Sequence, residues 1–366
     1  MLNAADRPGS LITPPPAVRL DYLDSLRGLA ALLVVLHHHY MTVPFFEHIV
    51  RITPFRVLIN GRSSVIFFFV LSGFVISYGV ITSAKRTTFG IFFLRRLIRI
   101  YGPYAASGLI AIAAYLVLKP EPLKYTAVTF NDMWSDSLDS RAILQFFLLA
   151  GTHAANKINT VSWSLVYELR ISMIIPLLCI FATRYPWPLF LIIGGDLILN
   201  RFRANSVPFT AETIQSSLDI TFHFLVPFIF GIFLAVRFTR GEIPDFDGRL
   251  KLRAILLLLA LCMLLIFKDE TASIGSVLLL AVALGSKKFQ QILNRPMLLK
   301  LGAISYSLYL THAIVLQCVV RLLGNEAPIG LVLIISLLMS FFVAELFYRI
   351  VEFPFHLLSR RLSVVQ

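Results

Sequence analysis

The chain has 366 residues, of which 57% are hydrophobic and only 14% charged, and its mean hydropathy is +0.80. That balance excludes a set of water-soluble domains, and 31 phenylalanines spread along the whole length exclude a lone anchor on a soluble body. The net charge of +13 would suggest a nucleic-acid partner in a soluble protein. Here the basic residues stand between apolar runs, where cytoplasmic loops collect them, so no nucleic acid is expected.

Residues 1–20 contain Thr13-Pro14-Pro15-Pro16 and no continuous apolar stretch, and read as a disordered N-terminal arm. The composition then predicts an all-α polytopic membrane protein with about ten transmembrane helices, at roughly 26–42, 64–82, 101–118, 161–183, 187–200, 219–237, 252–267, 272–286, 302–322 and 329–350. Residues 357–366 form a short cytoplasmic tail. Lys85, Arg86, Arg95, Arg96 and Arg99 follow the second span, Arg237, Arg240, Arg249, Lys251 and Arg253 the sixth, and Lys287, Lys288, Arg295 and Lys300 the eighth. Ten spans with both termini inside put all three clusters in the cytoplasm. Counting 142–152 (AILQFFLLAGT) as an eleventh span would turn a basic loop outward, so it reads as a re-entrant or partial segment on the outer side. Arg51, Arg56 and Arg62 in the first outer loop run against the charge rule, while 119–141, with Glu121, Asp132, Asp136 and Asp139, is acidic. Cys179, Cys262 and Cys318 sit singly in apolar runs, so neither a disulfide framework nor a metal site is expected.

The first span reads LDSLRGLAALLVVLHHHY. Arg27 and His38 are eleven residues apart, about three turns, so they share a helix face roughly 16 Å apart along the axis. Arg27 reads as a cytoplasmic anchor or as a cation aligned with an imidazole at membrane depth. Three successive intramembrane histidines are costly and mark function by default, but His37, His38 and His39 point about 100° apart. In IFFLRRLIRIYGPY, Arg96 and Arg99 neighbour each other on one face, where two guanidinium forks could grip phosphates or an interfacial helix could bind anionic membrane lipid. Glu168 in VSWSLVYELRISMIIP could orient a histidine, accept hydrogen bonds from a sugar, or pair with Arg170. Tyr309 and His312 in LGAISYSLYLTHAIVL line a polar seam or satisfy each other. Glu345 and Arg349 fit an internal ion pair, and Glu352 before Phe353-Pro354 reads as the end of the last helix.

Taken together, LDSLRGLAALLVVLHHHY, FFFVLSGFVIS, LRRLIRIYGPY, SWSLVYELRISMIIP and LGAISYSLYLTH resemble, in order and spacing, the acyltransferase-3 family of integral membrane acyltransferases, over residues 21–356. The family's arginine, ten residues and histidine map to Arg27 and His38, its paired arginines to Arg96 and Arg99, and its Trp-Ser-Leu-x-x-Glu pattern to Trp163, Ser164, Leu165 and Glu168. His37 falls where an apolar residue is usual, Ile66 where many members carry an acidic one, and Leu169 to Ile171 depart from the common Glu-Gln-Phe. The resemblance implies transfer of an acyl group, commonly acetyl, from cytoplasmic acyl-CoA to a hydroxyl of an extracytoplasmic glycan at a bacterial inner membrane, with no metal. His38 and Glu168 would then be catalytic; Arg27, Arg96 and Arg99 would hold the acyl-CoA; and Trp163, Ser164 and His312 would meet the acceptor. Many members carry a fused extracytoplasmic domain that this sequence lacks, so either one protein completes the transfer or a separate partner does. A proton-coupled transporter is the competing expectation, but no inverted repeat supports it.

Overall fold

The computed structural model describes residues 20–53, 60–83, 88–135, 138–202, 207–208, 210–266 and 268–362. The N-terminal arm to residue 19, Arg56, Lys85, Arg86, Asp136 and the last four residues lie outside the described ones. In chain order the helices are α1 (Asp21–Met41), α2 (Pro44–Ile52), α3 (Gly61–Thr82), α4 (Phe89–Leu118), α5 (Val128–Asp132), α6 (Ser140–Phe147), α7 (His153–Asn156), α8 (Trp163–Arg184), α9 (Trp187–Phe202), α10 (Ile214–Thr239), α11 (Leu250–Leu265), α12 (Asp269–Gly285), α13 (Lys287–Leu293), α14 (Pro296–Ala303), α15 (Ser305–Leu323), α16 (Ile329–Phe347) and α17 (Phe353–Arg361). A π-helical turn, Tyr348–Glu352, joins the last two. No strand occurs among the described residues, as an all-α membrane protein requires.

A helix stands at every predicted span, yet not all are built to cross alone. Six among the described residues are long and apolar enough for a full crossing, or up to seven if the bent pair α12–α13 counts as one. The others fall short for readable reasons. Helices α9 and α11 have 16 residues each, about 24 Å against a hydrocarbon core of about 30 Å, and the three histidines of α1 lower its hydropathy. The partial outer segment is α6, eight residues capped by Asp139, whose carboxylate accepts from the Ala142 N–H at 2.6 Å. At about 12 Å it cannot span. Its Phe146 ring stacks on Tyr104 of α4, with centroids 4.5 Å apart.

Two expectations change at the helix ends. Arg95, Arg96 and Arg99 do not lie in a loop: α4 runs for 30 residues and takes them into its first turns. Glu352 does not end the last helix. The π turn absorbs the hydrogen bond that Pro354 cannot donate, so the chain continues as α17 and the expected tail is helical to Arg361. The expected Glu345–Arg349 pair forms, with the Arg349 Nε donating to Glu345 Oε1 at 2.7 Å.

Helix α3 is the hub, packed against α1, α8, α10 and α12. Without a hydrophobic drive inside lipid, close backbone approach at small residues holds such helices together. A Cβ on Gly73 would stand 2.3 Å from the Phe228 carbonyl oxygen and one on Gly231 2.1 Å from the Val70 carbonyl oxygen, so α3 and α10 meet backbone to backbone. The same device joins α1 to α14, where a Cβ on Gly28 would lie 2.6 Å from the Gly302 amide nitrogen.

The start of α1 and the ends of α3, α10 and α12 share one apolar cluster, in which Tyr22 and Leu284 are buried with Tyr78 and Phe238 packed against them. The described basic residues of all three clusters therefore gather at one end of the bundle. There the Ser286 hydroxyl and the backbone N–H groups of Lys288 and Lys287 hold the Asp247 carboxyl below its ordinary range. At the other end Arg62, one of the three residues that run against the charge rule, is neutralised: it makes a bidentate pair with Asp269, both bonds 2.6 Å. With the basic end cytoplasmic, Thr88→Cys, in a protein whose three native cysteines are replaced, is expected to resist an impermeant thiol reagent in intact cells and to react after permeabilisation. Ready labelling in intact cells would overturn the topology.

Candidate active site

Two cavities lie end to end in the bundle. One, of about 1040 Å³ including its mouth, sits at the basic end and is lined by Arg27, Arg96, Arg99, Glu168, Tyr306 and Glu352 among others. The second, of about 1190 Å³, opens toward the opposite end and takes in His37, His38, Arg62, Asn156 and Trp163. Val65 and Tyr309 line both, so they form the partition. Helix α1 runs past both cavities, and its eleven-residue spacing delivers Arg27 to the first and His38 to the second.

In the arginine cavity the buried Nε and Nη2 of Arg96 have no hydrogen-bond partner among the described residues. Glu168 is its nearest carboxylate, at 3.9 Å, long for an ion pair. Leaving a buried guanidinium unsatisfied costs several kcal/mol by analogy with other buried charges, so these atoms fit an anionic ligand that comes and goes. Arg99, one turn on, is exposed within the same cavity. Arg27 is more committed: its Nη2 donates to Asp24 and its Nε to Ser305 Oγ at 3.2 Å. Glu352, given no role from sequence, also lines this cavity and accepts from the Ser307 hydroxyl at 2.5 Å and its amide at 3.1 Å.

Glu168 does not meet His38. It accepts from Ser72 Oγ at 3.1 Å on the arginine side of the partition, so the expectation that it orients the histidine is corrected. Arg170 is not its partner either, being turned to Ser217, Thr221 and the carbonyls of Leu149 and Ala150. The neighbour of His38 is His312, with ring centroids 5.2 Å apart. His312 is fully buried and lines neither cavity, so it stands behind His38 and does not touch a ligand there. Its Nδ1 donates to the Leu308 carbonyl at 2.9 Å, which leaves Nε2 a lone pair in the neutral ring, and that buried atom has no partner among the described residues.

The other two histidines divide. His39 is buried, its Nδ1 donating to the Val35 carbonyl at 2.8 Å and its Nε2 accepting from Ser336 at 3.2 Å, so it ties α1 to α16. His37, expected to face away, lines the same cavity as His38, 5.5 Å from it. Of the α8 residues, Trp163 lines the histidine cavity and Ser164 the arginine cavity, with Ser164 Oγ 2.7 Å from the Tyr309 hydroxyl. No cluster of metal-ligating residues occurs among the described residues.

Sequence reasoning passed over one constellation. His223 Nδ1 contacts both Asp196 carboxylate oxygens at 3.0 Å, and its Nε2 lies 2.9 Å from Asp269 Oδ2, the carboxylate that holds Arg62. Asp196, inside the predicted fifth span, was the available signal, because a carboxylate at membrane depth needs a partner.

Residues 20–349 match the family described as an acyltransferase domain. The chain belongs to the acyltransferase-3 family. It is 28% identical to the acyltransferase MdmB of Streptomyces mycarofaciens, over 96% of this chain and 95% of that relative. No solved structure matches. This acyltransferase-3 protein is therefore a membrane acyltransferase, and the partitioned pair of cavities is its candidate site.

Proposed function

We propose that the protein moves an acyl group, acetyl in the first instance, from cytoplasmic acyl-CoA to a hydroxyl of an extracytoplasmic glycan, such as a lipopolysaccharide O-antigen or exopolysaccharide, at a bacterial inner membrane. The observation that carries this reading is the stacking of an arginine-lined cavity on a histidine-lined one with a single shared partition. Arg96 and Arg99, supported by Arg27, hold the phosphates of the donor at the basic end, where guanidinium forks match phosphate oxygens. The extended thiol arm carries the thioester toward the partition. On the far side the acceptor hydroxyl is deprotonated by the His38 imidazole acting as general base. Asn156 Oδ1, buried in that cavity without a partner among the described residues, and the Trp163 ring suit a hydroxyl-rich acceptor.

The test is purified protein in lipid discs with radiolabelled acetyl-CoA and candidate glycans. Label transferred to a glycan supports the reading, and label transferred only to a lipid or small alcohol corrects the acceptor. Binding without transfer from any acyl-CoA to any hydroxyl would remove it.

A further inference from the structure

The reading above leaves one charge unaccounted for. When the acceptor oxygen adds to the thioester carbonyl, the carbonyl electron pair moves onto oxygen, and that oxyanion is best stabilised by a donor already in place. Arg27, Arg96 and Arg99 are at the wrong end, Arg62 is engaged by Asp269, and the His312 Nε2 has a lone pair and no proton to offer. Within the partition Val65 is apolar, so Tyr309 is the polar side chain that both cavities share.

We propose that the Tyr309 hydroxyl, seated in the partition, donates the hydrogen bond that stabilises the oxyanion of acyl transfer, a role that rests on the donor and acceptor sides assigned above. Tyr309 is 5% exposed, and its ring lies between Phe68, at a centroid distance of 5.9 Å, and His312, at 6.0 Å. That packing leaves the phenol little freedom to reorganise. Ser164 Oγ, 2.7 Å away, can donate to the phenol oxygen in place of its long 3.5 Å bond to the Val161 carbonyl. In that arrangement the phenol proton is free to point at the thioester oxygen, and the chain from serine through tyrosine to oxyanion strengthens each bond in it.

The step balances without a further reactant. The acceptor oxygen bonds to the acyl carbon as its proton passes to His38; the carbonyl oxygen becomes the oxyanion held by Tyr309. Its collapse reforms the carbonyl and breaks the carbon–sulfur bond, and the leaving thiolate takes the proton from His38. The products are the ester and free CoA.

Tyr309→Phe keeps the ring and the partition and removes only the donor. With wild-type protein active on acetyl-CoA, the variant is expected to lose roughly 10²- to 10³-fold in kcat, the usual effect of deleting one oxyanion donor, with unchanged acetyl-CoA affinity. A loss below about tenfold, or one confined to donor affinity, would overturn the proposal. If the phenylalanine variant fails to accumulate, 3,5-difluorotyrosine at position 309 decides, since it keeps the shape but ionises at lower pH. An ionised phenol cannot donate, so the alkaline limb of kcat is expected to move to lower pH. An unmoved limb would reduce Tyr309 to a packing residue. Wild-type protein that transfers nothing from acyl-CoA would instead remove the functional reading on which this role rests.

Discussion

Replacing His38 by alanine is expected to lower acyl transfer by roughly 10²- to 10⁴-fold, the usual contribution of a positioned general base, with acyl-CoA binding and membrane level near those of the wild type. The side chain lines the histidine cavity, and its nearest ring, His312, lines neither cavity and so cannot replace it as the hydroxyl's base. His37→Ala is expected to cost a few fold at most, because that ring shares the cavity but hydrogen-bonds to Tyr40 at 3.1 Å. His39→Ala removes the tie to Ser336 and is expected to show in protein level, not in turnover of the protein that folds. Glycan acetylation per unit of membrane protein is the measurement. Full activity of His38→Ala ends the mechanism, and equal losses in all three variants make the histidines a packing feature of α1.

The second large effect belongs to donor affinity. Arg96→Ala and Arg99→Ala are each expected to weaken acyl-CoA binding by about 1.5 to 3 kcal/mol, the range for hydrogen bonds to charged groups, or roughly 10- to 150-fold. Contacts to phosphates far from the thioester are made alike in ground and transition states, so kcat at saturating donor should change much less. Arg96→Lys retains the charge but not the fork, and is expected to recover only part of the loss. Equilibrium binding of labelled CoA to the purified variants reads this directly. Unchanged affinity in the double variant would return both residues to the alternative of an anionic-lipid anchor.

Much of this was legible because membrane helices announce themselves twice, in apolar length and in charge at their ends. The Arg27–His38 spacing survived into the fold unchanged, since a single helix has no freedom to alter it. What was not legible is what depends on which helices meet. Glu168 was placed beside His38 because both are titratable and deep. Yet α8 enters on the arginine side and offers its carboxylate to Ser72 of α3. The basic stretch before residue 101 reads as lying outside the third span because charges there exceed what lipid tolerates, whereas the same helix takes it in by turning Arg96 and Arg99 into a cavity. Glu352 and Pro354 looked like a terminus because proline breaks an α-helical ladder, and a π turn cannot be inferred from that signal. The Arg62–Asp269–His223–Asp196 network escaped because its members come from four separate helices, and no local spacing links them.

The glycine contact between α1 and α14 makes the first helix a gauge without slack. Gly28 is pressed on the Gly302 backbone and Ser25 Oγ donates to the Leu293 carbonyl at 2.6 Å, so α1 cannot slide by a turn to bring its cation and its imidazole to a different depth. On the proposed reading the donor must conform to that length. A molecule much shorter than the roughly 16 Å between those two positions, such as an acyl phosphate, would then occupy one end of α1 but not both at once. Intrinsic reactivity would not compensate for that shortfall: with a donor admitted by its reach, a small activated acyl compound is expected to be passed over even where it is the more energetic reagent.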